Sequence, residues 1–316
     1  MVLHRSSKNL MAQGGAVLGV FLAVLSWQMA VAEEAEQAAP PLPLHSVEGT
    51  GGHFATPSAY LVNPAKEGEI VGLPSIGGIY VHLGNGRHML ALTATETLWN
   101  RIEVGYGWDN FDMGDLPQDI ERATTIQIRD HSVDLHNANL RLSLVRDGEF
   151  EQPWLPAITI GAHYKYNDTV EDIDRDLMGT LTAIGIEDND GFDFTLSASK
   201  MIPGLPRPVI LTATLRSTEA AHIGLLGFAG DRELVVEGTV CVLATNRVFF
   251  ATEYRQKPDE YTAVPGLVAG EDDWWTICAG YIVNDHMTVA GGYAHFGDVL
   301  NHDANSSWGV ALKYEF

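Results

Sequence analysis

From Trp308 to Phe316 every second residue is large and apolar: Trp308, Val310, Leu312, Tyr314 and Phe316. Gly309, Ala311, Lys313 and Glu315 stand between them. Period two sends neighbouring side chains to opposite faces of an extended strand. One face must therefore meet an apolar phase and the other a polar one. The same parity recurs upstream, where Ile102, Val104, Tyr106 and Trp108 share one face, as do Leu140, Leu142 and Leu144. The opposite parity carries Arg101, Glu103, Arg141, Lys165, Asp193, Arg216, Glu237, Arg247, Glu253, Arg255, Lys313 and Glu315. Lys or Arg facing lipid at mid-depth costs about 2–4 kcal/mol. The charged set is therefore expected to line an interior.

Strands are expected at 76–83, 88–98, 101–109, 131–146, 156–167, 191–200, 208–217, 232–243, 247–256, 273–283, 286–297 and 306–316. The connections alternate. Trp99-Asn100, residues 244–246 and Asn284-Asp285 are tight, and 147–155 and 201–207 are moderate. The other set is long, at 110–130, 168–190, 218–231, 257–272 and 298–305, except for Asn85-Gly86, a hairpin signal. Glycine numbers 32 and is spread through the strands. Soluble strands avoid it, whereas curved walls tolerate it.

Basic residues Arg5 and Lys8 precede an apolar stretch at 16–32 that ends in Ala30-Val31-Ala32. This pattern reads as a secretory signal peptide cleaved near Ala32. No later segment has eighteen consecutive apolar residues, so after cleavage only a soluble fold or a barrel fits. Beyond residue 32 the chain has 17 Lys and Arg against 41 Asp and Glu. Such a balance excludes nucleic-acid binding through phosphates. Residues 33–47 read as a flexible linker, 48–75 as a periplasmic N-terminal segment or partial plug, and 76–316 as the barrel.

The alternating strands, the sided loops and the terminal aromatic resemble Gram-negative outer-membrane β-barrels. The resemblance implies a single twelve-stranded antiparallel transmembrane barrel with short periplasmic turns and long acidic extracellular loops. It also implies that Trp308, Val310, Leu312, Tyr314 and Phe316 are the signal read by the barrel assembly machinery. Outer-membrane lipid and lipopolysaccharide are its other expected partners; the oligomeric state stays open. Tryptophans at strand ends or short turns (Trp99, Trp108, Trp154, Trp274, Trp275, Trp308) suit membrane–water interfaces. Residues 49–64, Gly-Thr-Gly-Gly-His-Phe-Ala-Thr-Pro-Ser-Ala-Tyr-Leu-Val-Asn-Pro, resemble the N-terminal signature of an uncharacterised family of bacterial outer-membrane proteins. More loosely they resemble barrels linked to exopolysaccharide export. This predicts an ordered segment near or inside the periplasmic mouth.

Two function classes follow. One is a narrow channel or binding barrel for small polar or cationic solutes, its cations gathered by an acidic loop of Asp168, Glu171, Asp172, Asp174 and Asp176. The other is a non-conducting structural or export-accessory barrel. A hydrolase is the weaker third, because His131, His136, His163, His286, His295 and His302 lack the serine motif of the barrel phospholipases. No catalytic residue, cofactor or metal is expected. Residues 172–183 resemble the start of a calcium loop, but Leu177 stands where glycine is needed and Ala183 where the closing glutamate belongs. Cys241 and Cys278 are expected on strands separated by one other, too far apart for a disulfide.

Overall fold

A computed structural model describes residues 44–65, 68–202, 205–258, 261–270 and 272–316. The stretch read as a signal peptide, the cleavage expected near Ala32 and residues 33–43 of the expected linker lie outside these. No helix among the described residues is long and apolar enough to cross a membrane.

Twelve antiparallel strands close into a barrel. They are β1 (Ser75–Gly84), β2 (Arg87–Leu98), β3 (Ile102–Asp112), β4 (Ser132–Val145), β5 (Ala157–Asn167) and β6 (Asp190–Ile202). Next come β7 (Val209–Thr218), β8 (Glu233–Leu243), β9 (Val248–Arg255), β10 (Trp274–Ile282), β11 (Met287–His295) and β12 (Ser307–Glu315). Each strand pairs with its sequence neighbours, and β12 closes the ring against β1, with Trp308 opposite His82 and Glu315 opposite Ser75. Closure removes the exposed sheet edge, as a lipid phase requires. The expected strands stand, with ends shifted by at most three residues.

Phe316 and the short turns share one end, the turn end. The opposite, loop end carries α1 (Leu116–Thr124), α2 (Val170–Asp176) and the Asn85-Gly86 hairpin. Asn85 and Gly86 both have positive φ, 49° and 79°. A two-residue hairpin matched to the strand twist needs that geometry.

The outer face is apolar over its middle, with Leu92, Leu140, Leu196, Leu215, Val240 and Ile277 exposed. Aromatic contacts run along its loop end, including Tyr80 to Trp308 at 5.8 Å and Trp275 to His295 at 5.4 Å. Trp274 departs from the interfacial reading. It is buried, its ring packs edge-on against Phe296 at 5.0 Å, and the Arg255 guanidinium lies 5.5 Å above it. Glu96 shares the outward phase of Leu90 and Leu92.

Cys241 and Cys278 both sit opposite Ala251, one on each side, and both are free and buried. Thiol counting in denaturant should find two reactive groups; a count of zero would contradict the strand order. Val310, Leu312, Tyr314 and Phe316 all point outward, and the Phe316 amide donates to the Pro74 carbonyl at 3.1 Å. Deleting Phe316 should lower the yield of heat-modifiable, membrane-inserted protein several-fold on a band-shift gel.

Candidate functional site

The interior is filled by the chain's own N-terminal segment. Nearly all of residues 44–62 are buried, with only Tyr60 partly exposed. This buried run begins at Leu44, inside the span read as linker. A two-residue ladder, Leu44 opposite Gly52 and His45 opposite Gly51, folds the segment on itself. Glycine lets it lie against the wall. Gly49 has φ 79°, and a Cβ there would come within 2.6 Å of the Tyr106 backbone. Gly105 and Gly107 meet it from β3, where a Cβ on Gly105 would approach the Gly49 carbonyl to 2.2 Å.

Three carboxylates hold this plug. Glu48, on the plug, meets Lys165, Arg216 at 3.0 Å and Arg255 at 2.9 Å. Arg216 also pairs with Asp193 at 2.8 Å and with Glu237, and Lys165 pairs with Asp193 at 2.8 Å. The wall alone therefore contributes three cations against Asp193 and Glu237, and Glu48 brings the cluster to neutrality. An unpaired buried charge costs several kcal/mol, so the plug and wall need each other.

Glu253 works in the opposite sense, from the wall. Its carboxylate accepts the backbone N–H of Phe54 at 3.0 Å, of Ala55 at 2.8 Å and of Thr56 at 2.9 Å. The Thr56 and Thr276 hydroxyls donate to it as well, both at 2.9 Å. Successive amides converging on an anion form a nest, and charge-assisted bonds are the stronger kind. Glu103 is the third anchor. It pairs with Arg141 at 2.7 Å and accepts the Gly51 and Val62 amides at 3.0 and 2.8 Å. Arg141 donates to the Gly51 carbonyl at 3.0 Å and also to that of Ser58.

Short wall side chains satisfy the rest of the plug backbone. Asn139 donates to the Glu48 carbonyl at 2.7 Å, and Thr159 to that of Ala59 at 2.6 Å. Ser199 accepts the Ala59 amide at 2.9 Å. At the turn end Tyr60 donates to Asp147 at 2.6 Å, and Lys200 pairs with the same carboxylate. Burial and then Asp147 push the Tyr60 phenol up. Burial raises Asp147, but bonds from Lys200 and Tyr60 more than offset this and hold its carboxyl below the usual range. A lowered carboxylate stabilises above its ordinary pKa and loses that contribution as pH falls through the lowered value. This latch is therefore intact across neutral pH.

Of the residues read as lumen-lining, Glu103, Arg141, Lys165, Asp193, Arg216, Glu237, Glu253, Arg255 and Lys313 are buried on the inner face. Arg101 and Arg247 require correction. They precede the first residues of β3 and β9 and lie at the turn end, where Arg101 pairs with Glu149 and Arg247 is exposed. Parity extended one residue beyond a strand assigns a face that the turn does not keep.

The acidic loop is largely committed to local contacts. Asp176 pairs with Arg129 at 2.7 Å, Asp172 pairs with Arg175, and Asp174 accepts the Leu181 amide at 2.9 Å. Asp168 lies 3.5 Å from His136, and Glu171 is exposed. His163 bonds Asn139 at 2.7 Å and Thr195 at 2.9 Å. That row has the residue types of a hydrolytic triad, but it is buried and faces the plug, and the Asn139 amide is spent on plug carbonyls.

The parity reading missed a change of character along the inner face. Towards the loop end the inward residues are apolar: Val81, Leu83, Met89, Phe111, Val133 and Leu135. The inward charges Lys165, Asp193, Arg216, Glu237, Glu253 and Arg255 instead stand on β5 to β9, whose turn-end positions include apolar Ile210, Leu243 and Phe249. The connection between β7 and β8 completes the apolar layer. Ala220, Ala221, Ile223, Leu225, Leu226 and Phe228 are all buried. A signal existed, since residues 220–230 contain no charged residue.

Glu48→Gln keeps the shape and removes the neutralising charge. It should weaken plug docking by about 3–5 kcal/mol. Hydrogen exchange at the Phe54 and Ala55 amides should then accelerate at least a hundredfold, whereas Glu171→Gln on the loop should leave it unchanged.

Residues 43–313 match the family described as Protein of unknown function (DUF3034), and the chain belongs to that family. No curated protein matches it by sequence. Among solved structures it is similar to the Acinetobacter baumannii outer membrane protein Omp33, at 10% identity and a TM-score of 0.44, over 78% of this chain and 99% of that one. It is also similar to the KdgM porin, at 8% identity and a TM-score of 0.45, over 77% and 99%. The NanC porin aligns at 11% identity and a TM-score of 0.46, over 77% and 98%.

Proposed function

We propose that this DUF3034 member is an outer-membrane barrel whose lumen is a gated passage for small polar solutes, held shut by its own N-terminal segment. The observation that carries this is the anchoring of residues 44–62 inside the lumen by Glu48, Glu103 and Glu253. A wall meant only to be packed would be served by apolar side chains, which need no partners. This wall instead keeps charges that the plug satisfies through main-chain groups, an arrangement that can be exchanged for water. The apolar outer belt and the signal peptide support the location, with cleavage near Ala32. Lipid, lipopolysaccharide and the assembly machinery are its proposed partners there. The sealed triad-like row supports no catalytic role.

A second reading, a non-conducting structural or export-accessory barrel, is favoured by the completeness of the filling. Planar-bilayer recordings separate the two. The mature chain should be closed for most of the record. Glu48→Gln combined with Glu253→Gln should raise open probability at least tenfold, and deletion of residues 44–62 should give a steady conductance. Silence in the deletion variant, shown folded by heat-modifiability, would favour the structural reading.

A further inference from the structure

Above the plug, at the loop end, the barrel holds a partly open apolar chamber of about 40 Å³. Its floor is Val47, Phe54 and Ala55 of the plug. Its walls include Val81 and Phe111, and its roof includes Leu226 from the β7–β8 connection. We propose that this chamber is a binding site for a small apolar molecule of the short-hydrocarbon class.

The lining chemistry selects the ligand. A cavity needs roughly 10–15 Å³ to admit a water, so this one is large enough, but a buried water needs two to four polar partners. Every lining side chain is apolar or aromatic except His222. The His222 ring is itself stacked, 5.9 Å from Tyr261 and near parallel to it. Apolar cavities of this kind stay dry, and one of about 150 Å³ takes benzene or xenon. The smaller volume here suits a molecule of only a few heavy atoms.

The roof carries the marks of a built site. Ile223 has φ 56° and Gly224 φ 99°. Positive φ is a genuine outlier for a β-branched residue, and such strain persists only where surroundings enforce it. Two wall side chains do so. Lys165 donates to the Ile223 carbonyl at 3.1 Å, and Asn167 donates to those of Gly224 and Leu225 at 3.0 and 2.9 Å. A connection without a task would relax rather than be drawn inward and pinned. The chamber also faces away from the polar lumen, because the Phe54 and Ala55 side chains line it while their amides serve Glu253 below. Because Val47, Phe54 and Ala55 of the plug form its floor, the site exists only while residues 44–62 are seated, so it rests on the closed form of the proposed barrel.

The test is anomalous diffraction from crystals of the mature full-length chain exposed to dibromomethane, at increasing dose until bromine appears on the lipid-facing wall. The expected result is a bromine peak inside the chamber, between Phe54, Phe111 and Trp274. In Val81→Phe, which fills the space, that peak should fall at least tenfold while the outer-wall peaks persist. Bromine on the outer wall only, or ordered water in the chamber, would overturn the proposal. So would an unchanged chamber peak in Val81→Phe. Should that variant not fold, the wild-type crystals decide the matter alone.

Discussion

The carboxylate of Glu48 is the point on which the interior depends. Lys165, Arg216 and Arg255 converge from three strands, with Asp193 and Glu237 as their ion-pair partners on the wall. In a medium that excludes water, like charges at this spacing repel strongly. One acidic side chain from outside the wall makes the arrangement neutral. The remaining plug contacts extend the same logic from charges to dipoles. Glu253 and Glu103 are wall anions without enough wall donors, and the plug backbone supplies N–H groups at 2.8–3.0 Å. An open strand of backbone and an over-polar wall are each costly alone, and together they satisfy one another.

The fold was legible because a barrel writes its constraint into every strand. Lipid disfavours charge at mid-depth on one parity, so Leu140, Leu142 and Leu144 locate a face without any knowledge of neighbours. Strand order followed from connection lengths alone. The plug was legible as an N-terminal segment, expected near or inside the periplasmic mouth from the resemblance carried by residues 49–64. Its partners were not, because a contact such as Glu253 with the Thr56 amide joins positions 197 apart and leaves no periodic trace.

Two errors share a cause. Parity distinguishes inside from outside but is blind to depth. Arg101 and Arg247 have the inward phase yet sit past the wall's edge, while Val81 and Phe111 have the same phase and form an apolar upper layer. The inner face is apolar at the loop end of β1, β3 and β4 and charged on β5 to β9, a division that parity does not register. The uncharged run at 220–230 pointed to the apolar layer, since a solvated loop has no reason to lack charge.

The position of the plug in the chain has a consequence for biogenesis. Residues 44–62 are synthesised before any wall strand, yet Phe54 and its anchor Glu253 are 199 positions apart. Contacts of such separation form late. Until β9 is paired, the plug has neither the Glu253 nest nor Arg255, and Glu48 faces an incomplete set of cations. Firm seating thus reports that most of the wall is already in place. A truncated or mis-registered barrel would leave its first residues loose at the mouth, where a protease could find them, so the segment that closes the finished barrel would also mark the unfinished one for removal.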